Sequence, residues 1–473
     1  MAAVDSETPF SSLQRELVVH ILSKLGQAEL HRAALVNRFF RSCVDSPSLC
    51  REREVCIRGG SPAGLQRRKQ QVLSLTHWLA SHGQHLRSLR IKDAGILPPE
   101  DTMLLQQCAL AAGSLCTQLE LLSIHFQAAA VDPGWAAPLT ALRRLALFSG
   151  TVLLPPSGLE TLQRCTQLAL YGRQSGIDQA TRLPPNLQEL TLGALQGGEL
   201  PSQLAALTAL HTLELWGDWR GTSTLSQLSS LRHLHITGPG LVPWELSTLT
   251  GLESLLVAYD KHSVPLWPLT DENSQRLKDA CLRLTCLTSL ALCVLRGTEL
   301  PDEEMAGLTQ LQRFYASRSQ WELGELPPGP WLASLTCLAA DATAVLHSTD
   351  LLAGATALTR LTLVDIPGGE SDDDSEQPSS YQEMRPNVAA LYDWAAGQRT
   401  LRRITFVGDR PNAIDVDIFR GALALKAARP DIEMDAYPAG REPTFAREFH
   451  YHGIDDLVPG WREAIALTEP YAY

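Results

Sequence analysis

The stretch "ELPSQLAALTALHTLELWG" (residues 199–217) decides the fold. It ends in the phrase L-x-x-L-x-L, with Leu210, Leu213 and Leu215 as the fixed positions. Successive side chains of a strand alternate, so Leu213 and Leu215 share one face, while Glu214 and Trp216 share the other. A single unit of this kind leaves most of its leucine surface in water. Copies stacked side by side bury it in a continuous core.

The phrase returns along the chain as "LRSLRI" (86–91), "LELLSI" (119–124), "LRRLAL" (142–147), "LQELTL" (187–192), "LRHLHI" (231–236), "LTSLAL" (287–292) and "LTRLTL" (358–363). Weaker copies begin at Cys165, Leu252, Leu311, Leu335 and Leu401, about thirteen units in all, most spaced by 21 to 24 residues. The copy near Leu335 can be read from Leu332 or from Leu335. With Leu200, Pro201, Leu204, Leu207, Leu210, Leu213 and Leu215 in place, residues 199–217 resemble a complete leucine-rich repeat. The resemblance implies an α/β fold: a curved solenoid over 86–437 with a parallel sheet on its concave side. Glycines at 172, 193, 217 and 238 stand near where many members carry asparagine. Two longer intervals, "PEDTMLLQQCALAAGSLC" (99–116) and "TDENSQRLKDACLRL" (270–284), read as helices with acidic first turns.

The later part of the array is interrupted by "GGESDDDSEQPSS" (368–380), with five acidic residues and no basic one. It reads as a solvated, disordered insert, or as a phosphorylation site at Ser371 and Ser375. Helices follow at 384–397 and 415–429, then a last strand at 431–437 and a cap or tail over 438–473.

The whole chain of 473 residues carries a formal charge of −12, which argues against a general nucleic-acid binder. Ten cysteines lie scattered without a CxxC pair and read as buried thiols of a reducing compartment. No apolar run approaches the ~18 residues of a membrane span, and the start lacks the features of a secretion signal. Cytosol or nucleus is the default location, with cytoskeletal association left open.

Ahead of the array, after a disordered residues 1–9, the head "FSSLQRELVVHILSKLGQAELHRAALVNRFFRSCVDSPSLCRE" (10–52) breaks into three helical pieces. Leu13, Leu17, Ile21 and Leu25 recur every fourth residue, as one stripe of a helix. So small a unit makes a poor core alone and needs a partner to cover its remaining apolar face. The head resembles an F-box. The motif is met by Leu13, Glu16, Leu17, Ile21, Leu22, Leu25, Glu29, Leu30, Val36, Arg38, Phe40, Arg41, Pro47 and Leu49, without gaps. Gln14 stands in place of the motif's proline and Cys50 in place of its tryptophan.

This resemblance, with the F-box placed at 10–55, implies the substrate-recognition subunit of an SCF-type (Skp–cullin–F-box) E3 ubiquitin ligase. Leu13, Leu17, Ile21, Leu22, Leu25, Leu30, Val36, Phe40, Pro47 and Leu49 would dock on the Skp adaptor. The repeats would hold a protein target, and the chain would perform no chemistry itself. The alternative is a non-ubiquitin interaction scaffold whose head is only a cap. Residues 56–85 read as a stiff helical linker, with Val72, Leu75, Trp78 and Leu79 on one face.

Strand phase gives the target-binding candidates on the concave side: Phe148, Tyr171, Glu214, Trp216, His233, His235, Arg313 and Tyr315, with Trp219 at the rim. Exposed aromatics on such a surface are common interface anchors. His233 and His235 lack a third ligand at metal spacing, and no metal or cofactor is expected. Neither a phosphate-binding glycine loop nor a nucleophile elbow appears, so no catalytic residue is assigned.

Overall fold

The computed structural model describes residues 14–57, 62–93, 99–126, 131–153, 158–238, 243–258, 271–293, 304–317, 326–364, 380–408 and 416–438. The expectations for residues 1–9, Leu13, the insert with Ser371 and Ser375, and the tail from 439 lie outside them. The chain divides into two compact units between Leu187 and Gln188.

The first unit opens with the three head helices, α1 (Arg15–Leu22), α2 (Gln27–Val36) and α3 (Arg38–Val44). Asn37 caps α3, its side-chain oxygen accepting from the Phe40 amide at 2.8 Å. Val18, Leu22, Leu30 and Cys43 form the head's own core, flanked by Val19, Ala33, Phe39, Phe40, Val44 and Leu49.

Strand β1 (Glu52–Ile57) follows at once, then α4 (Pro62–His82), β2 (Ser88–Asp93), α5 (Pro99–Leu115), β3 (Leu121–Phe126), β4 (Arg144–Leu153) and β5 (Gln167–Ser175). These strands are parallel and adjacent in chain order. Leu89, Leu122, Leu145 and Leu168 stand in register and are buried.

Strand β1 corrects the expected domain limits. It begins inside the stretch assigned to the head and pairs residue for residue with β2, from Glu52 opposite Ser88 to Ile57 opposite Asp93. The presumed linker helix, α4, is therefore the connection inside the first repeat. Arg53, opposite Leu89, stands at a leucine position of the pattern. Its guanidinium carbon lies 5.0 Å from the centre of the Trp78 ring on α4, and that cation–π contact replaces aliphatic packing.

The second unit carries β6 (Glu189–Glu199), β7 (Thr212–Arg220), β8 (His233–Thr237), β9 (Ser254–Ala258), α6 (Asp271–Arg283), β10 (Ser289–Cys293), β11 (Arg313–Ser317), α7 (Trp331–Ser334), β12 (Cys337–Asp341), α8 (Ala342–His347), β13 (Arg360–Val364), α9 (Ser380–Gly397), β14 (Arg403–Gly408), α10 (Val416–Ala428) and β15 (Glu433–Pro438). All its strands pair parallel with their sequence neighbours. Phe314 faces Leu338, which fixes the ambiguous copy on Leu335 and puts Leu332 in α7. Leu190, Leu213, Leu234, Leu255, Leu290, Phe314, Leu338, Leu361 and Ile404 form a buried row. Each fully buried side chain of this kind is worth ~1.5–3 kcal/mol.

Side chains in the turn before the leading leucine tie repeats together. Asn186 Nδ2 donates to the Gln163 carbonyl, Ser230 Oγ to Leu210, Ser334 Oγ to Leu311 and Thr400 Oγ1 to Thr356. The second repeat position adds threonines: Thr166, Thr288, Thr336 and Thr359 each donate to a carbonyl of the preceding repeat. The threonine bonds fall on carbonyls that already accept backbone amides of the next repeat, as Arg143 accepts from Thr166 N and Gln167 N, so they reinforce a junction that the backbone has made.

Gly238 is demanded by close approach. A Cβ there would lie 2.4 Å from the Gly217 carbonyl oxygen, while Gly217 itself has φ +99°, where side chains are disfavoured.

Candidate partner-docking surfaces

The head presents apolar side chains to solvent. Leu17 is 48% exposed, Ile21 51%, Leu35 65% and Val36 67%; Leu25 is exposed as well. Leu17 and Ile21 are one turn apart on α1 and lie on the same side of it. The other helix side carries Val18 and Leu22 into the head core. Among the adaptor-docking candidates, Leu17, Ile21, Leu25, Val36 and Pro47 are thus exposed, and Phe40 and Leu49 half-buried. Leu22 and Leu30 require correction: they are buried within the head and hold it together. Leu35 is exposed beside them, at a position that the motif does not mark.

Cys50 is also buried, with its thiol 3.8 Å from the Val44 carbonyl. Burial pushes its pKa up, with Asp45 adding to the effect. Burial raises Cys108 to about 11 and Cys116, Cys165 and Cys281 to about 12, so these thiols are packing groups.

On the sheet, strand phase places the target candidates on the side away from the leucines, and neighbouring columns shield most of them. In the first unit Phe148 is stacked on Tyr171, ring centres 4.4 Å apart, and meets His125 edge-on at 4.6 Å. Both aromatic residues are buried, contrary to the expectation of open anchors. Burial also lowers the pKa of His125 to about 4.

In the second unit a polar ribbon crosses β6, β7 and β8. Thr191 Oγ1 donates to Glu214 Oε2 at 3.4 Å, Glu214 stands opposite His235 in register, and His235 Nε2 lies 2.8 Å from Thr237 Oγ1. Glu214 is 2% exposed and His235 3%, so neither is an open contact. Trp219 is buried too. Its Nε1 donates to the Trp216 carbonyl, and its ring covers Gly198, where a Cβ would come within 2.6 Å. Trp216 and His233 are half-buried; Tyr315 is half-buried and Arg313 exposed. The open part of this candidate set is therefore Arg313, with Tyr315, His233 and Trp216 partly accessible.

Burial lowers the pKa of His233, with Glu253 acting in the opposite direction. Among the described residues no group of three or more histidine, cysteine, aspartate or glutamate side chains could hold a metal ion. No described helix is long and apolar enough to cross a membrane.

A model of the F-box domain matches residues 10–52. No curated protein matches the chain in sequence. Solved structures to which the chain is similar include an LRR protein of Leptospira interrogans, at 13% identity and a TM-score of 0.37, covering 82% of this chain and 91% of that one. Another is human 5T4, the trophoblast glycoprotein also called Wnt-activated inhibitory factor 1, at 19% identity and a TM-score of 0.31, covering 54% and 92%. The repeat assignment rests on the strands themselves, their order, their register and their buried leucine rows. The chain thus joins an F-box domain at its N-terminus to a leucine-rich-repeat array.

Proposed function

We propose that this chain is the substrate-recognition subunit of an SCF-type E3 ubiquitin ligase. Its head docks on a Skp adaptor that is carried by a cullin, and its repeats bind a protein target. One observation supports the reading most: the match to the F-box domain falls on a head whose Leu17, Ile21, Leu35 and Val36, on α1 and α2, and Leu25, in the turn between them, are exposed, although the head has its own core. A cap for the array would turn those side chains toward the repeats. A docking module turns them outward, where burial against a partner releases water from apolar surface.

In this role the chain supplies proximity: it holds target lysines near a ubiquitin-loaded enzyme and forms or breaks no bond itself. Arg313, Tyr315, Trp216 and His233 are the target contacts that the strand face leaves accessible. Tyrosine, tryptophan and arginine are enriched among residues that dominate interface energies.

Capture from purified components tests the proposal. The full chain should bind a recombinant Skp adaptor, and the Leu17→Asp, Ile21→Asp double variant should not. A wild-type chain that fails to bind the adaptor would end this reading.

A further inference from the structure

We infer that Trp78 is a positioning residue that fixes the angle between the adaptor-docking head and the first repeat. The inference rests on the proposed function for its purpose, and on the joint's geometry for its content.

The head passes into the array without a spacer. Between Val44, the last residue of α3, and Glu52, the first of β1, the chain makes one compact turn. Ser46 N donates to the Cys43 carbonyl, and Leu49 N and Cys50 N both donate to the Ser46 carbonyl, at 2.9 to 3.2 Å. That turn fixes where the head meets the first repeat. It leaves the tilt of the head to side-chain packing, because beside it lies a cleft of about 780 Å³. Leu30 and Ala34 of α2 and Leu49 form one wall; Arg67, Gln71 and Trp78 of α4 form the other. A gap of that size means α2 and α4 do not close on each other, and a head held by its turn alone would rock into it.

One row of side chains opposes that motion. Asp45, immediately after α3, places Oδ1 3.8 Å from His82 Nε2 at the end of α4. The His82 ring stacks on Trp78, with centres 4.9 Å apart and planes 15° apart. The Trp78 ring also takes the Arg53 guanidinium of β1 in a cation–π contact. The row therefore joins the end of the head, the first connecting helix and the first strand. Trp78 is its central member and also walls the cleft. Ring-stacking and cation–π contacts depend on the separation and orientation of the planes, so tilting the head weakens them.

Pulsed electron-paramagnetic distance measurement on the full chain tests this, alone and with a Skp adaptor bound. Labels introduced as unnatural amino acids at Arg32 of the head and Glu160 beyond β4 avoid the native cysteines; both sites are exposed. The parent chain should give one narrow distance distribution. Trp78→Ala should widen it at least twofold, while Trp78→Phe, which keeps a stacked ring, should stay near the parent. Adaptor affinity should remain within about twofold in each variant, since none of the changed atoms lies on the exposed α1 face. His82→Ala carries the test if Trp78→Ala does not fold: it removes the link to Asp45 and should also widen the distribution. Unchanged distributions in the alanine variants, or equal widening in Trp78→Phe, would overturn the inference. Failure of the parent chain to bind adaptor would instead count against the proposed function and leave the distance result standing.

Discussion

Neighbouring residues of α1 should have opposite roles, and truncating them separately tests the proposed docking face. Leu22 is 3% exposed within the head core; Ile21, next to it, and Leu17 are about half exposed. Complete burial of such a side chain is worth ~1.5–3 kcal/mol, so covering the remaining half on docking gives ~1 kcal/mol each. The Leu17→Ala, Ile21→Ala double variant should lose ~2 kcal/mol of binding, roughly a 30-fold rise in Kd. It should leave the free head almost unchanged. Leu22→Ala removes core volume and should destabilise the head by ~2–5 kcal/mol. Calorimetric titration with a Skp adaptor reads the first effect. Amide hydrogen exchange across α1–α3 in the free chain reads the second. A Kd that stays within about twofold for the double variant would refute the reasoning. So would exchange protection falling as far in the double variant as in Leu22→Ala.

Other consequences concern the array. His125 has a lowered folded pKa, about 4 against 6.5, so between those values the unfolded chain binds the extra proton. Stability of the first unit should then be full above pH 6.5 and fall by on the order of 3 kcal/mol as pH drops toward 4. A chemical-denaturation series in that window checks it, and His125→Phe should flatten the dependence. Gly238→Ala places a Cβ against the Gly217 carbonyl and should cost ~1–3 kcal/mol, seen as a lower melting temperature for the second unit. Among the described cysteines, exposed Cys286 should react first with an aromatic disulfide reagent at pH 8, with Cys165 and Cys281 silent until unfolding.

Thirteen strands, β2 to β14, were legible because a leucine phrase marks each of them, and the notional last strand appears as β15. Strand β1 was not. Its phrase begins at Cys50 and continues through Arg53 and Val55, and an arginine at a core position hides the repeat from any reading by hydrophobicity. Arg53 stands there with its guanidinium against the ring of Trp78, from a helix read as a linker. That contact joins residues 25 apart, and nothing local in the sequence announces it. The head was legible as an F-box for a different reason: its motif fixes residue types in order. The same motif did not separate Leu22 and Leu30, which hold the head together, from Leu17 and Ile21, which leave it.

The strand face shows where periodicity stops being informative. Alternation assigns each side chain to a side of the sheet, and Phe148, Tyr171, Glu214 and His235 lie on the assigned side. Accessibility depends instead on what stands in the neighbouring columns. Parallel strands bring equivalent positions to about 4.8 Å, so a ring beside another ring is covered on its broad face, as Tyr171 covers Phe148. A carboxylate between a threonine and a histidine is covered in the same way, as Glu214 is. Arg313 differs because its register partners are Ser289 and Cys337, both too short to shield it. Under the proposed function, Arg313 of the second unit is therefore open to a target, while the aromatic column of the first unit is covered by its own neighbours. Arg313→Glu should weaken target capture more than Phe148→Leu, whose main effect should be on the stability of β3 to β5.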